Sequence, residues 1–341
     1  MGVSQNVNIK ELARALGLST STVSRAFRDN SDISKETKER ILSKAKELNY
    51  QPNHYASNLR EQRSKTIAVI VPELANNFFS LAIHGIERVA REKGYHILIF
   101  ATEDDFEKEV SFIRHLHNGR ADGIIMSVSG EANDHTYLEE LAEKRLPLVF
   151  FDRVYEDIIT PRVITNDYKS SFTATQHLIK QGCKRIAYLV VNKNLSIGKT
   201  RMQGYIDALE KSGVPFKEEL IIDCTNSYSK NIRILKQMLT DIKPDGVFTS
   251  VERLAFATYY ASYELGVQIP KDIKVIGFSS LEIAPLLNPS LSTITQPATK
   301  IGIEAANLLF KMLEHPGSVD AHKKVVLDSK LFQRSSTATD L

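Results

Sequence analysis

From Asn8 onward the chain sets Ile9, Leu12, Ala13 and Leu16 at i, i+3, i+4 and i+7. That is one face of a helix, with Asn8 placed to cap it and Gly17 to stop it. After Ser19 a second short helix gathers Val23, Ala26 and Phe27 on one side. At about 100° per residue, Ser21 and Arg25 then fall on the other side, one turn apart. A third helix follows Ser34, with Ile41, Ala45 and Leu48 pointing inward. Two short helices joined at a glycine turn and closed by a third match a helix-turn-helix. Its second helix exposes Thr20, Ser21 and Arg25, and an arginine there can donate in bidentate fashion to guanine. The same pattern also fits a plain three-helix bundle.

Pro52 ends the third helix, and Asn53 can cap a segment in which Ala56 and Leu59 are three apart. A helix of about eight residues is marginal alone, so this one is expected to form only against a partner. Residues 61–65 (EQRSK) read as a polar connector. From Thr66 the pattern changes. TIAVIV, HILIFA, GIIMS and LPLVFF alternate with helical stretches, and RIAYLV, ELIID, DGVFTS and IKVIGF repeat the scheme. Two successive α/β halves with doubly wound parallel sheets follow, with ligand space at the carboxyl ends of the strands.

A length of 341 residues suits two or three domains. Charge divides the chain unevenly. Residues 1–65 carry 12 Lys and Arg against 7 Asp and Glu, a net of +5, which leaves 32 against 34 beyond them. Positive charge thus gathers where phosphates would be met. No apolar run approaches the roughly 18 residues that cross a bilayer, and the N-terminus does not read as a secretory signal. Cys183 and Cys224 lie in no metal-ligand spacing and read as reduced thiols of a cytoplasmic protein. Glycine-rich phosphate loops, HExxH and GxSxG are absent, and the nine histidines are scattered. The expectation is a binding protein with no catalytic residue, cofactor or metal. A solute-binding receptor would need a signal peptide and no head; a dehydrogenase would need a glycine loop.

The run LGLSTSTVSRAF, followed by ELNYQPNHYASNLR, closely resembles the LacI/GalR family of bacterial repressors, and the likeness continues more loosely through almost the whole chain. The resemblance implies a head (1–51), a hinge helix and linker (52–65) and a periplasmic-binding-protein-like sensor (66–341). The sensor's first subdomain would take about 66–164 plus 296–325, and the second 165–295 plus 326–341. It implies that Thr20, Ser21 and Arg25 read bases, while Thr22, Ser24 and Asn30 touch phosphates or support the turn. Asn53, Tyr55, Ala56 and Leu59 would belong to the DNA-binding hinge, with Ala56 at the minor-groove floor and Leu59 wedged between base pairs. Partners are then a near-palindromic operator, a second copy of the chain and a small metabolite, with no membrane. In the sensor, the resemblance places Phe78, Phe79, Ser127, Asp152, Arg201 and Gln296 around the ligand. The family includes members released from DNA by their ligand and members recruited by it.

Two departures stand in the sensor. Val251-Glu252 replaces the usual Asn-Asp, and Gly277-Phe278-Ser279-Ser280 replaces a segment ending in two aspartates. The effector is expected to be sugar-related or anionic (a sugar, sugar phosphate or related metabolite). A cleft that keeps Arg201 and loses an aspartate at Ser279 is expected to favour a sugar phosphate, sugar acid or other anion over a neutral monosaccharide. Asp152 and Glu252 remain, but neither is expected to stand where the missing carboxylate would.

Overall fold

Helix α1 (Ile9–Leu16) starts at Asn8, whose side chain accepts from the amides of Lys10 and Glu11 while Glu11 reaches back to the Asn8 amide. This capping box satisfies donors that the first turn leaves open. Gly17 closes the helix at φ +66°, a left-handed conformation that costs glycine little. Helix α2 (Thr20–Ala26) is capped by Ser19, and α3 (Lys35–Glu47) by Ser34. Leu12, Ala13, Val23, Ala26, Ile41 and Ala45 form their shared core, with Phe27 and Tyr50 in ring contact at its edge. Arg40 of α3 donates to the Leu16 carbonyl at 2.7 Å and so ties α3 to the end of α1.

This computed structural model describes residues 7–27, 33–50, 63–116, 119–130, 134–143 and 146–339. Asn30 and the hinge residues Asn53, Tyr55, Ala56 and Leu59 lie outside them. The chain divides into two compact units, 1–64 and 65–341.

The larger unit holds two six-stranded sheets. The first runs β11-β5-β4-β3-β1-β2, all parallel: β1 (Thr66–Val71), β2 (His96–Ala101), β3 (Gly123–Met126), β4 (Leu148–Phe151), β5 (Arg162–Thr165) and β11 (Lys324–Leu327). The second runs β12-β10-β9-β8-β6-β7: β6 (Ile186–Val190), β7 (Ile221–Asp223), β8 (Gly246–Thr249), β9 (Lys274–Phe278), β10 (Ser292–Thr295) and β12 (Lys330–Phe332). Central strands are buried on both faces, as parallel strands covered by helices must be. β12 departs from the all-parallel expectation and runs antiparallel to β10. The chain leaves β11 at the cleft end of the first sheet, and only two residues separate the strands. With no helix to carry it back, it enters the second sheet from the cleft side and runs the other way.

Covering helices in the first subdomain include α4 (Asn77–Glu92), α5 (Phe106–Leu116), α6 (Thr136–Glu143) and α11 (Ala298–Glu314); in the second, α7 (Asp167–Lys180), α8 (Ser196–Lys211), α9 (Tyr228–Gln237) and α10 (Glu252–Leu265). Each subdomain has one pair in backbone contact. A Cβ on Gly302 of α11 would stand 2.0 Å from the Ala82 carbonyl oxygen of α4, and one on Gly204 of α8 would stand 2.3 Å from the Tyr168 carbonyl oxygen of α7. Among the described residues, no helix is long and apolar enough to cross a membrane.

The chain passes between the sheets three times, after β5, β10 and β11, and polar side chains knit these crossings together. Gln296 donates to the Thr165 hydroxyl at 3.1 Å, and Asn166 donates to Asp328 at 2.6 Å.

Candidate DNA-binding face and effector cleft

In the head, the period that buries Val23 and Ala26 leaves Thr20, Ser21 and Arg25 exposed, with Thr22 and Ser24 half-buried. The Ser19 hydroxyl caps the helix through the Thr22 amide at 3.1 Å and bonds the Ser21 and Thr22 hydroxyls at 2.7 and 2.8 Å. Two small polar side chains are thereby held in fixed rotamers at the start of α2. Such a face, with one arginine a turn farther on, has the size and chemistry to read a major groove.

In the sensor, a cavity of about 680 Å³, part of it open to solvent, lies between the carboxyl ends of the two sheets. Seven of the eight residues expected around the ligand line it: Phe78, Phe79, Asp152, Arg201, Glu252, Ser279 and Gln296. Ser127 does not. It follows β3, is fully buried and accepts from the Arg153 amide at 3.4 Å, so it supports the strand ends beneath the cleft wall.

Asn76 accepts from the Phe78 amide at 3.0 Å and starts α4 so that Phe78 and Phe79 both face inward, edge to face at 5.2 Å. From the opposite wall α8 carries Arg201, which is 5% exposed. Its Nε donates to Asp167 at 2.7 Å and its Nη1 to the Ser250 carbonyl at 2.7 Å, and its guanidinium lies 3.6 Å from the centre of the Phe278 ring. Its Nη2 has no partner. Asp152 sits just past β4 at φ +59° and accepts from Gln296 at 3.3 Å. Burial pushes its carboxyl above the ordinary range, against the pull of Arg201 and Arg153.

Glu252, at the start of α10, accepts from Asn77 at 2.6 Å through Oε1 and from the Ser279 hydroxyl through Oε2. A carboxylate therefore does stand beside Ser279, contrary to the expectation from sequence; it arrives from a helix start rather than a strand end. The expected unmatched cation is also missing, since Asp167 lies against Arg201 with both side chains buried. Arg153 is likewise paired, to Asp104 at 2.5 Å. The lining thus presents compensated arginines and carboxylates with acceptor capacity to spare, which disfavours an anion.

Sequence reasoning missed Asp167, Asn192 and Ser250. The Asn192 amide nitrogen and the Ser250 hydroxyl are buried without a partner and, like Arg201, line the cavity. A signal was present: Asn192 is the first polar residue past the apolar run of β6 and Ser250 the first residue past β8, at the strand ends where such sheets hold ligands.

The comparisons bear on family and fold. The family of periplasmic binding proteins and sugar binding domains of the LacI family matches residues 64–334, and that of bacterial regulatory proteins of the lacI family matches residues 8–53. The chain is 30% identical to the HTH-type transcriptional regulator DegA of Bacillus subtilis, over 97% of this chain and 98% of that one. It is similar to a solved LacI-family regulator from Enterococcus faecium with bound ribose: TM-score 0.72, 26% identity, 81% of this chain and all of that one. The lac repressor dimer bound to operator and an anti-inducer shares the fold, with TM-score 0.84 at 22% identity, over 98% of this chain and 99% of that one.

Proposed function

Because the chain belongs to the LacI family of bacterial regulatory proteins, we propose that it is a cytoplasmic repressor whose affinity for operator DNA is set by an uncharged, polyhydroxylated effector held between its sensor subdomains. One observation carries the choice of effector. Arg201 Nη2, Asn192 Nδ2 and Ser250 Oγ are buried without partners, while Asp152 and Glu252 keep lone pairs to offer. Buried polar groups are costly unless bonded, so the cleft calls for a ligand rich in both donors and acceptors. Vicinal hydroxyls supply both, and Phe78 and Phe79 suit the apolar face of a sugar ring. The ribose bound by the Enterococcus regulator is of this class.

On this reading Thr20, Ser21 and Arg25 read bases, with Thr22 and Ser24 supporting them. The chain works as a homodimer on a two-fold operator. The edge strand β2 exposes Leu98 and Ile99, and the second subdomain exposes Tyr260, Tyr263, Ile283 and Leu286, apolar surface of the kind that a second copy covers. Effector binding acts on the crossings around Gln296, Thr165 and Asn166 and changes operator affinity by a coupling of about 1–3 kcal/mol. Isothermal titration with ribose and ribose 5-phosphate, and then with other pentoses and hexoses beside their phosphates, tests the effector class. Heat from a neutral sugar with a silent phosphorylated counterpart supports it, and the reverse result refutes it. A salt-dependent gel shift on the gene's own upstream DNA tests the operator role.

A further inference from the structure

The rim of the cleft carries polar contacts that the effector reading does not use. Asn77, at the start of α4 in the first subdomain, donates to Glu252 of the second at 2.6 Å. One residue farther along α10, Arg253 donates through Nη1 to Glu73 of the first subdomain at 3.2 Å and bonds Asn226 of its own subdomain through Nη2 at 2.5 Å. Asn76 donates to the same Glu73 oxygen at 3.3 Å and steadies it. Two neighbouring residues at the start of one helix thus grip two residues around the start of the facing helix, Glu73 and Asn77.

We propose that Glu73, Asn77, Glu252 and Arg253 form a clasp that holds the two sensor subdomains together before any effector arrives. Glu252 gives the clasp its sensitivity. Its Oε2 is held by Ser279 inside the cleft, whereas its Oε1 is held by Asn77 across it. An effector group that takes a hydrogen bond at the remaining lone pair of Oε1 shares that acceptor with Asn77 and weakens its hold, so occupancy and the clasp compete for one carboxylate oxygen. Arg253 and Glu73 bear no such competition and supply the constant part of the grip. Their side chains are 22% and 37% exposed, so the pair is screened by salt and individually weak. A weak contact suffices, because opening and closing exchange states of similar free energy. The effector reading enters only through the competition at Glu252; the clasp itself stands apart from it.

The test measures closure directly in the full-length protein without effector. Nitroxide labels on cysteines replacing Ser80 of α4 and Ser229 of α9, both exposed, report the distance across the rim by pulsed dipolar spectroscopy. Labelled chain is diluted with unlabelled chain, so that distances within one chain dominate. The native Cys183 and Cys224 thiols, pushed up to about 12 mainly by burial, stay unlabelled near neutral pH. Glu73→Gln and Arg253→Gln should each raise the ratio of open to closed chains roughly two- to fivefold, the range commanded by a partly exposed ion pair. The charge swap Glu73→Arg with Arg253→Glu should restore the short distance. Raising salt should open the wild type and leave Arg253→Gln unmoved. Single variants with an unchanged distance distribution, or a wild type already as open as Arg253→Gln, overturn the clasp. Should a variant fail to melt cooperatively, the salt titration of the wild type decides alone. Because no sugar enters these measurements, a wrong effector class and a wrong clasp give different failures.

Discussion

Replacing Asp167 by Asn should weaken the fold and change what the cleft accepts. Asp167 and Arg201 meet at 2.7 Å with side chains 7% and 6% exposed, so solvent screens the pair little. Removing one partner of such a pair outright leaves a buried charge and costs about 3–5 kcal/mol. Asparagine keeps an oxygen that accepts from Nε, and it can also bond the Thr165 hydroxyl that now donates to Asp167 at 2.9 Å. The loss should therefore sit nearer the worth of one charged hydrogen bond, about 1.5–3 kcal/mol. At about 2–4 °C per kcal/mol for a domain of this order of size, the sensor should melt several degrees lower by circular dichroism. Arg201 then loses the carboxylate in contact with it and keeps only the pull of Asp152, with Nη2 still open to the cleft. Titration should show a sugar phosphate gaining affinity relative to the neutral sugar. A companion variant, Asp167→Leu with Arg201→Met, removes both charges and should recover much of the stability while losing the effector. If Asp167→Asn kept the wild-type melting temperature and the same preference for neutral sugars, the compensation assigned to Asp167 would be wrong.

Other perturbations probe separate parts of the chain. Asp152 has its carboxyl raised by burial, so the folded state holds that proton above the pH at which the unfolded chain loses it, about pH 4. Stability at this group then declines as pH rises from there toward the raised value, and Asp152→Asn should gain on the wild type over the same rise in a series of melts; a constant difference across pH counts against it. Gly302→Ala would put a methyl 2.0 Å from the Ala82 carbonyl oxygen and push α4 from α11, a cost of about 1–3 kcal/mol, read as a lower melting temperature. A variant as stable as the wild type would show that the helix pair yields. Arg25→Ala should lose about 1–3 kcal/mol of specific binding and relax one base pair per half-site; a uniform loss across sequences, with only a shallower salt slope, would make Arg25 a phosphate contact.

The sequence by itself determined what depends on neighbours along the chain. The capped helices of the head, the exposure of Thr20, Ser21 and Arg25, and the alternation of strands with helices all follow from periods of a few residues. The lining of the cleft was partly legible too, because strand ends mark it: Asp152 and Ser279 each directly follow an apolar strand, and Gln296 follows β10. Tertiary structure decided which of these groups meet. Asp167 and Arg201 are 34 residues apart, Asn77 and Glu252 are 175 apart, and no local period records that their side chains share a proton or a charge. Hence the reading of Arg201 as an unmatched cation failed. It counted the aspartate missing at Ser279 along one strand end, whereas the field at the guanidinium is summed over nearby carboxylates, and those come from α7 and the end of β4. The direction of β12 was settled in the same way, by the short chain left after β11 and the side from which it meets the second sheet.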